Sequence, residues 1–235
     1  MTLLAPFQKE KLEYFFNFFD ANEDKAIELE DLNGFMKKIV DYTGWNTNSP
    51  SYHEIFGVHE AFFEILMEKT TFNKVTLDEW YKLWAKLIHG SMGMQNFPVW
   101  LRLLPRSLFK IKDRNQDGVI EEDELADFYA NFVKLEDSEA KRVAKTAYEN
   151  MTDFGRYPLN LASYEQIFAN FLLGKTPYGP GRFIFGCFEH SLHRSKFRLI
   201  KAAVEESEEA TEEIKAANRV RRGSTDAVRL RLKKV

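Results

Sequence analysis

The sequence predicts an all-α fold of four helix–loop–helix units in two paired lobes, followed by a C-terminal tail. Apolar residues recur at helical spacing in successive segments, and short polar breaks separate these segments in pairs. The 235 residues include only seven Pro and 12 Gly, which favours long helices. The 21 Phe, four Trp and nine Tyr supply the large rings that helices bury where broad faces meet.

The units follow one another at a spacing of roughly 40 to 50 residues. The apolar faces are, in order, Leu12, Phe15, Phe16 and Phe19; Leu32, Phe35, Met36 and Ile39; Phe62, Phe63, Leu66 and Met67; Trp80, Leu83, Trp84 and Leu87; Leu104, Leu108 and Ile111; Leu125, Phe128, Tyr129 and Phe132; Ala140, Val143, Ala144, Ala147 and Tyr148; and Ile167, Phe168, Phe171 and Leu172. This order predicts an N-terminal pair over 7–90, a C-terminal pair over 98–174, a closing segment over 175–189 and a charged tail over 190–235.

Each loop contains an aliphatic residue four positions before its acidic end. In paired loops of this type, such residues meet in a short two-stranded bridge. We therefore expect Ile27 to face Val75 in the first lobe. In the second lobe we expect Ile120 to face Leu161.

The third loop, from Asp113 to Glu124, fits the twelve-residue calcium loop at every specified position. Ca²⁺ takes about six to eight oxygens, and such a loop supplies them from alternating positions while a glycine, here Gly118, makes the sharp turn. The expected ligands are the side chains of Asp113, Asn115 and Asp117, the carbonyl of Val119, Glu121 directly or through water, and both carboxylate oxygens of Glu124. The alternative is a solvated acidic turn.

The first loop, from Asp20 to Asp31, has the same pattern with two departures. Lys25 stands where glycine is preferred, and left-handed backbone costs a side chain about 1 kcal/mol. Asp31 is one methylene shorter than Glu, so the loop offers fewer oxygens, which favours the six-coordinate Mg²⁺ over Ca²⁺. The expected ligands are Asp20, Asn22, Asp24, Ala26 and Asp31. The alternative is a loop that has lost its metal.

The second loop, 68–79, and the fourth loop, 154–165, lack oxygens where a cation needs them. Phe72 occupies the fifth position of the second loop. The fourth loop has Phe154, Arg156 and Pro158 at its first, third and fifth positions. Both loops are interpreted as structural partners that do not bind calcium.

These units, followed by Pro-Gly-Arg-Phe-Ile-Phe-Gly at 180–186, resemble the sarcoplasmic calcium-binding proteins and especially the calexcitins, within the EF-hand superfamily. The resemblance covers roughly residues 7 to 188 and is specific in the third loop, in the Trp80 helix and in the closing segment. It implies a compact four-EF-hand protein whose closing segment packs against the lobes. It also implies a cytosolic calcium buffer or a calcium-dependent modulator, including of neuronal excitability in the calexcitin case.

Charge and cysteine content restrict the other functions. The 33 basic and 36 acidic side chains give a net charge of −3, which does not favour a nucleic-acid partner. The single cysteine, Cys187, cannot form an internal disulfide, and the N-terminus lacks a signal-peptide core, so a cytoplasmic location is expected. We expect a monomer that binds calcium ions, with a protein target as well if it is a sensor.

A competing motif lies at 169–176, where the sequence ends in Gly174-Lys175-Thr176 and fits a loose phosphate-binding loop. This alternative would make the chain a nucleotide-dependent small-molecule kinase. Because the apolar helical face continues through Phe168 and Phe171, we interpret the motif as the end of a helix with a glycine cap. Nucleophile and base residues do not occur together elsewhere, and the chain is not expected to be an enzyme.

The tail has blocks of opposite charge. Six Glu and no basic residue lie between Glu205 and Glu213, and eight basic residues against one acid lie over 214–235. We expect a frayed helix followed by a mobile basic end, with Ser224 in a short motif typical of basophilic kinase targets. Contact of this end with anionic lipid is the alternative. Because Leu230 and Leu232 alternate with basic residues, a solvated tail is favoured.

Overall fold

In a computed structural model, the protein is described over residues 4–68, 70 and 73–185. The described residues form helices α1 (Pro6–Phe19), α2 (Leu29–Thr43), α3 (Pro50–Glu68), α4 (Leu77–Ile88), α5 (Val99–Lys112), α6 (Glu122–Asp127), α7 (Asp137–Thr152) and α8 (Leu161–Leu173), with strands β1 (Ala26–Ile27) and β2 (Val75–Thr76). One π-helical turn, Phe128–Phe132, continues α6, and 3-10 turns lie at Met94–Asn96 and Pro180–Phe183. The predicted all-α fold of four helix–loop–helix units is confirmed.

Several predictions lie outside the described residues. They concern Cys187, Phe72 and the whole charged tail with Ser224. Among the described helices, none is both long enough and apolar enough to pass through a lipid bilayer.

The first two loops pair as predicted. Strands β1 and β2 are antiparallel, with Ile27 opposite Val75 and Ala26 opposite Thr76. Both aliphatic side chains are buried. The pairing therefore places the first and second loops side by side at one end of their helices.

The predicted pairing of Ile120 with Leu161 is wrong by two residues. The backbone N–H of Ile120 donates to the carbonyl of Leu159 at 3.0 Å, and Val119 is bridged to Asn160. Leu161 is instead the first residue of α8, because the Asn160 side chain accepts from the N–H of Ser163 and caps the helix. By analogy with the first pair, the fourth loop spans 152–163 and not 154–165.

An aromatic core joins the two pairs of units, as the abundance of phenylalanine predicts. Phe15 of α1 is completely buried at its centre. Rings from both pairs and from the closing segment have centroids 5.5 to 6.0 Å from that of Phe15, namely Trp80, Trp84, Phe168, Phe171 and Phe185. Helix α1 therefore packs against elements of both lobes.

The closing segment is fixed to this core through its backbone carbonyls. Lys112 Nζ donates to the carbonyl of Ile184 at 2.6 Å and to the Tyr164 hydroxyl at 2.8 Å. The Tyr129 hydroxyl donates to the carbonyl of Phe183 at 2.8 Å. Gly181 allows a close approach to α8, since a Cβ atom there would lie 2.2 Å from the backbone nitrogen of Phe171. The segment thus packs against the lobes up to Phe185.

Helix α8 ends at Leu173, and side chains of α1 satisfy its last carbonyls. Lys11 Nζ donates to the carbonyls of Phe171 and Gly174, the latter at 2.7 Å, and Gln8 donates to that of Leu173 at 3.2 Å. Burial lowers the pKa of the Lys11 ammonium to about 7. The interpretation of Gly174-Lys175-Thr176 as a helix end is confirmed. Nothing in the described residues supports the kinase alternative.

His59 is a titratable group enclosed by the aromatic core. Its Nδ1 lies 2.9 Å from the carbonyl of Ile55, which assigns the proton to that nitrogen, and its ring centroid lies 4.8 Å from that of Phe35. The ring is completely buried. Burial lowers the pKa of His59 to about 4, and the bond to Ile55 acts in the opposite direction.

We expect the free energy of unfolding to decrease as the pH falls from about 6.5 to about 4. In this window the unfolded chain binds a proton at His59 that the folded chain does not, and each unit of pH corresponds to at most about 1.4 kcal/mol. Urea unfolding at several pH values should give a shallower dependence for His59→Leu than for the natural chain. Equal slopes above pH 5, where few carboxylates titrate, would contradict this assignment.

Candidate metal centre

The third loop joins α5 to α6, and its acidic side chains fold inward onto the loop backbone. Asp113 Oδ2 accepts from the N–H of Gly118 at 3.1 Å. Asn115 Oδ1 accepts from the N–H of Asp117 at 2.9 Å, and Asp117 Oδ1 accepts from that of Val119 at 2.9 Å. Each oxygen retains a further lone pair, so these hydrogen bonds orient the side chains without using all of their acceptor capacity.

Glu124 closes the loop from the first turn of α6. Its Oε1 accepts from the N–H groups of Arg114 and Asn115 at 2.8 and 3.2 Å, and its Oε2 accepts from that of Glu121 at 3.0 Å. The side chain is buried. The carboxylate is thus held inside the loop by three backbone donors, with both oxygens ordered.

Two features of the third loop suit a bound divalent cation. Asp113 Oδ1 is buried and has no hydrogen-bond partner among the described residues. A buried carboxylate oxygen without a partner is destabilising, and a cation bound in the loop would supply that partner. Gly118 has φ of +87°, the left-handed backbone that the turn requires of its sixth residue.

The first loop repeats the six hydrogen bonds described above for the third loop. The corresponding bonds run from Lys25 N to Asp20 Oδ2 (3.0 Å), from Asp24 N to Asn22 Oδ1 (2.9 Å), from Ala26 N to Asp24 Oδ1 (3.0 Å), from Ala21 N and Asn22 N to Asp31 Oδ1 (2.9 and 3.3 Å) and from Glu28 N to Asp31 Oδ2 (2.8 Å). Asp20 Oδ1 is buried and, like Asp113 Oδ1, has no partner within the part of the chain that the structure describes. The shorter Asp31 thus occupies the place of Glu124 in the same arrangement.

Two features distinguish the first loop. Lys25 has φ of +70°, so it adopts the left-handed backbone conformation, which is strained for a residue with a side chain. Burial raises the pKa of the Asp20 carboxyl, the carboxylates of Asp31 and Asp24 raise it further, and the N–H groups of Lys25 and Asp24 lower it. The negative charge of Asp20, buried beside Asp31 and Asp24, is therefore costly without a cation.

Neither loop gathers its carboxylates into a closed cluster. Over 4–68, 70 and 73–185, no three His, Cys, Asp or Glu side chains lie close enough together to hold a metal ion. A calcium loop does not need such a group, since an amide oxygen and a backbone carbonyl contribute as well. A bound cation would draw these dispersed oxygens together.

The register of the fourth loop differs from the sequence prediction, but residues without side-chain oxygens still occupy ligand positions. In its corrected register, Thr152, Phe154 and Arg156 occupy the first, third and fifth positions, and Pro158 occupies the seventh. The Thr152 hydroxyl donates to the carbonyl of Tyr148 at 2.6 Å. Phe154 and Arg156 carry no side-chain oxygen, so a structural role for this loop stays our prediction.

Glu28 is a site residue that the predicted ligand set omits. It immediately precedes α2, as Glu121 immediately precedes α6, and its N–H donates to Asp31 as that of Glu121 donates to Glu124. Both stand at the ninth position of their loops. Comparison of the two loops position by position would have identified it.

Four helix–loop–helix units with paired loops are the architecture of EF-hand proteins, and known proteins of this class are similar to the chain. No family model matches it. It is 26% identical over 173 residues to the sarcoplasmic calcium-binding proteins I, III and IV of Branchiostoma lanceolatum, a match that covers 72% of this chain and 91% of the relative. The predicted resemblance to sarcoplasmic calcium-binding proteins is confirmed.

Solved structures share the fold. A sarcoplasmic calcium-binding protein from amphioxus matches with a TM-score of 0.65 and 24% identity, covering 78% of this chain and 98% of the other. Calcium-loaded apo-aequorin from Aequorea victoria matches with a TM-score of 0.58 and 19% identity, covering 73% of this chain and 93% of the other.

We expect Lys25→Gly to stabilise the metal-free chain by about 1 kcal/mol, because glycine adopts the left-handed conformation without strain. The reciprocal change Gly118→Lys should destabilise it by a similar amount, since open space at that position leaves backbone strain as the main cost. Urea unfolding with excess chelator measures both. Loss of stability in Lys25→Gly would contradict the strain argument.

Proposed function

We propose that the chain is an intracellular EF-hand calcium-binding protein whose principal site is the third loop. The observation that carries the proposal is the buried Asp113 oxygen, which has no partner in the described residues and lies inside a loop that has every expected ligand. Asp113, Asn115 and Asp117 would bind Ca²⁺ through side chains, Val119 through its carbonyl, Glu121 directly or through water, and Glu124 through both oxygens. The similarity to sarcoplasmic calcium-binding proteins supports the same ligand.

The first loop is proposed as a second, weaker site. Asp20, Asn22, Asp24, Ala26 and Asp31 offer oxygens in the same pattern, and Glu28 adds a carboxylate at the ninth position. The shorter reach of Asp31 favours a smaller coordination number, so Mg²⁺ competes best here. The second and fourth loops are proposed to serve as structural partners.

Calcium-binding proteins act as buffers or as sensors, and the packing of this chain favours a buffer. A sensor exposes an apolar groove when it binds calcium, whereas a buffer changes shape little. Here the rings of both pairs are buried around Phe15, and hydrogen bonds from Lys112 and Tyr129 fix the closing segment against them. Opening would expose this shared core. The proposed protein is a cytoplasmic, monomeric calcium buffer without catalytic activity.

Replacing Glu124 by Gln should weaken the tightest calcium step at least roughly tenfold, because it removes a charge and a bidentate ligand. Isothermal calorimetry with CaCl₂ measures this step. Glu122→Gln removes the same charge from the same helical turn but no proposed ligand, so it serves as the matched control. An unchanged affinity in Glu124→Gln would rule out the third loop as the principal site.

Titration should detect at most two calcium ions per chain, and millimolar Mg²⁺ should compete mainly with the weaker one. The reason is that only the first and third loops have side-chain oxygens at the first, third and fifth positions together. The double change Lys25→Gly with Asp31→Glu should strengthen the weaker step. A stoichiometry of three or four would show that the second or fourth loop binds calcium.

A further inference from the structure

Lys74 of the second loop extends into the first loop. Its Nζ lies 2.7 Å from Glu28 Oε1 and 3.8 Å from Asp24 Oδ2. Lys74 directly precedes Val75, which pairs with Ile27. The register of the loop pair therefore places an ammonium beside the carboxylates at the fifth and ninth positions of the first loop.

The two carboxylates that Lys74 contacts belong to the candidate metal site. Asp24 is one of the proposed ligands, and Glu28 is the counterpart of Glu121. An ammonium bound between them neutralises part of the charge that would attract a divalent cation. A cation that uses both oxygens has to displace the lysine first.

Among the described residues, none contacts the third loop as Lys74 contacts the first. Its aliphatic residue, Ile120, pairs with Leu159, and the residue that precedes Leu159 is Pro158. The nearby Arg156 pairs instead with Asp153 of its own loop, at 2.8 Å. In the described part of the chain, no ion pair from a lysine or arginine reaches the carboxylates of Asp113, Asp117, Glu121 or Glu124.

We propose that Lys74 is an affinity-determining residue of the first loop, where its ammonium acts as a tethered cation that competes with divalent ions. The inference rests on the proposed binding of a divalent cation to this loop. It gives a reason for the first loop to bind divalent cations more weakly than the third loop does. This reason is additional to the effects of Lys25 and Asp31 within the first loop. It also predicts a dependence on salt, because the contacts are partly exposed and mobile ions screen them.

The test is calorimetric titration of the full chain with CaCl₂ at low and high KCl. Lys74→Met should strengthen the weaker calcium step about three- to tenfold at low salt, and less at high salt. The tighter step should not change. Lys74→Arg keeps the charge and should behave as the natural chain does.

Lys82→Met is the matched control for loss of one positive charge. Lys82 pairs with Asp78 on the surface of α4 at 2.6 Å, and the carboxylates that raise its pKa are Asp78 and Glu79, not those of the first loop. This variant should leave both calcium steps unchanged. If Lys74 instead only held the loop in shape, Lys74→Met would weaken the site, which is the opposite sign.

The outcomes separate this inference from the proposed function. If the tighter step is present and Lys74→Met leaves the weaker step unchanged, weakened or still undetectable, the inference is overturned while the function stands. A weaker step that appears only in Lys74→Met supports the inference. If no variant binds calcium at any step, the proposed function fails and the inference fails with it.

Discussion

The antiparallel pairing of loops is the constraint on which both candidate metal loops depend. Ile27 pairs with Val75, and Ile120 donates to Leu159, so each pair is locked through two buried aliphatic residues. Side chains alternate in direction along such a segment, and a shift by one residue would turn the buried aliphatic side chains to the opposite face. The same register decides which residue of the partner loop lies beside a site. It delivers Lys74 to the first loop.

The core adds a second constraint, because it buries two lysines and pairs both with carbonyls. Lys11 donates to the last carbonyls of α8, where the helix dipole is negative. Lys112 donates to Ile184 and lies 4.5 Å from the centroid of the Phe128 ring. A buried ammonium must satisfy its donors to be tolerated. Each lysine therefore fixes a segment that follows the last loop: Lys11 fixes the end of α8, and Lys112 fixes the closing segment.

Local signals predict most of the fold, and the main failure is the register of the fourth loop. Helical spacing identified the units, and the third loop was complete in its own residues. The fourth loop was misplaced because Leu159 and Leu161 are both aliphatic and Glu165 resembles a final loop carboxylate. In the structure Glu165 accepts instead from Arg106 Nε at 2.7 Å, an interaction that no local pattern reveals. The capping residue Asn160 was the signal that would have corrected the register.

Helix α2 is in contact with both candidate loops. It begins at the first loop, where Asp31 lies in its first turn, and its end is held by Arg114 of the third loop. The Arg114 guanidinium donates to the carbonyl of Tyr42 at 2.7 Å and lies 4.6 Å from the centroid of the Tyr42 ring. The N–H of the same arginine donates to Glu124. A cation that moves Asp31 would act on the start of α2. One that moves Glu124 would act on the end of α2 through Arg114. A rearrangement of either loop would therefore be transmitted to the same helix.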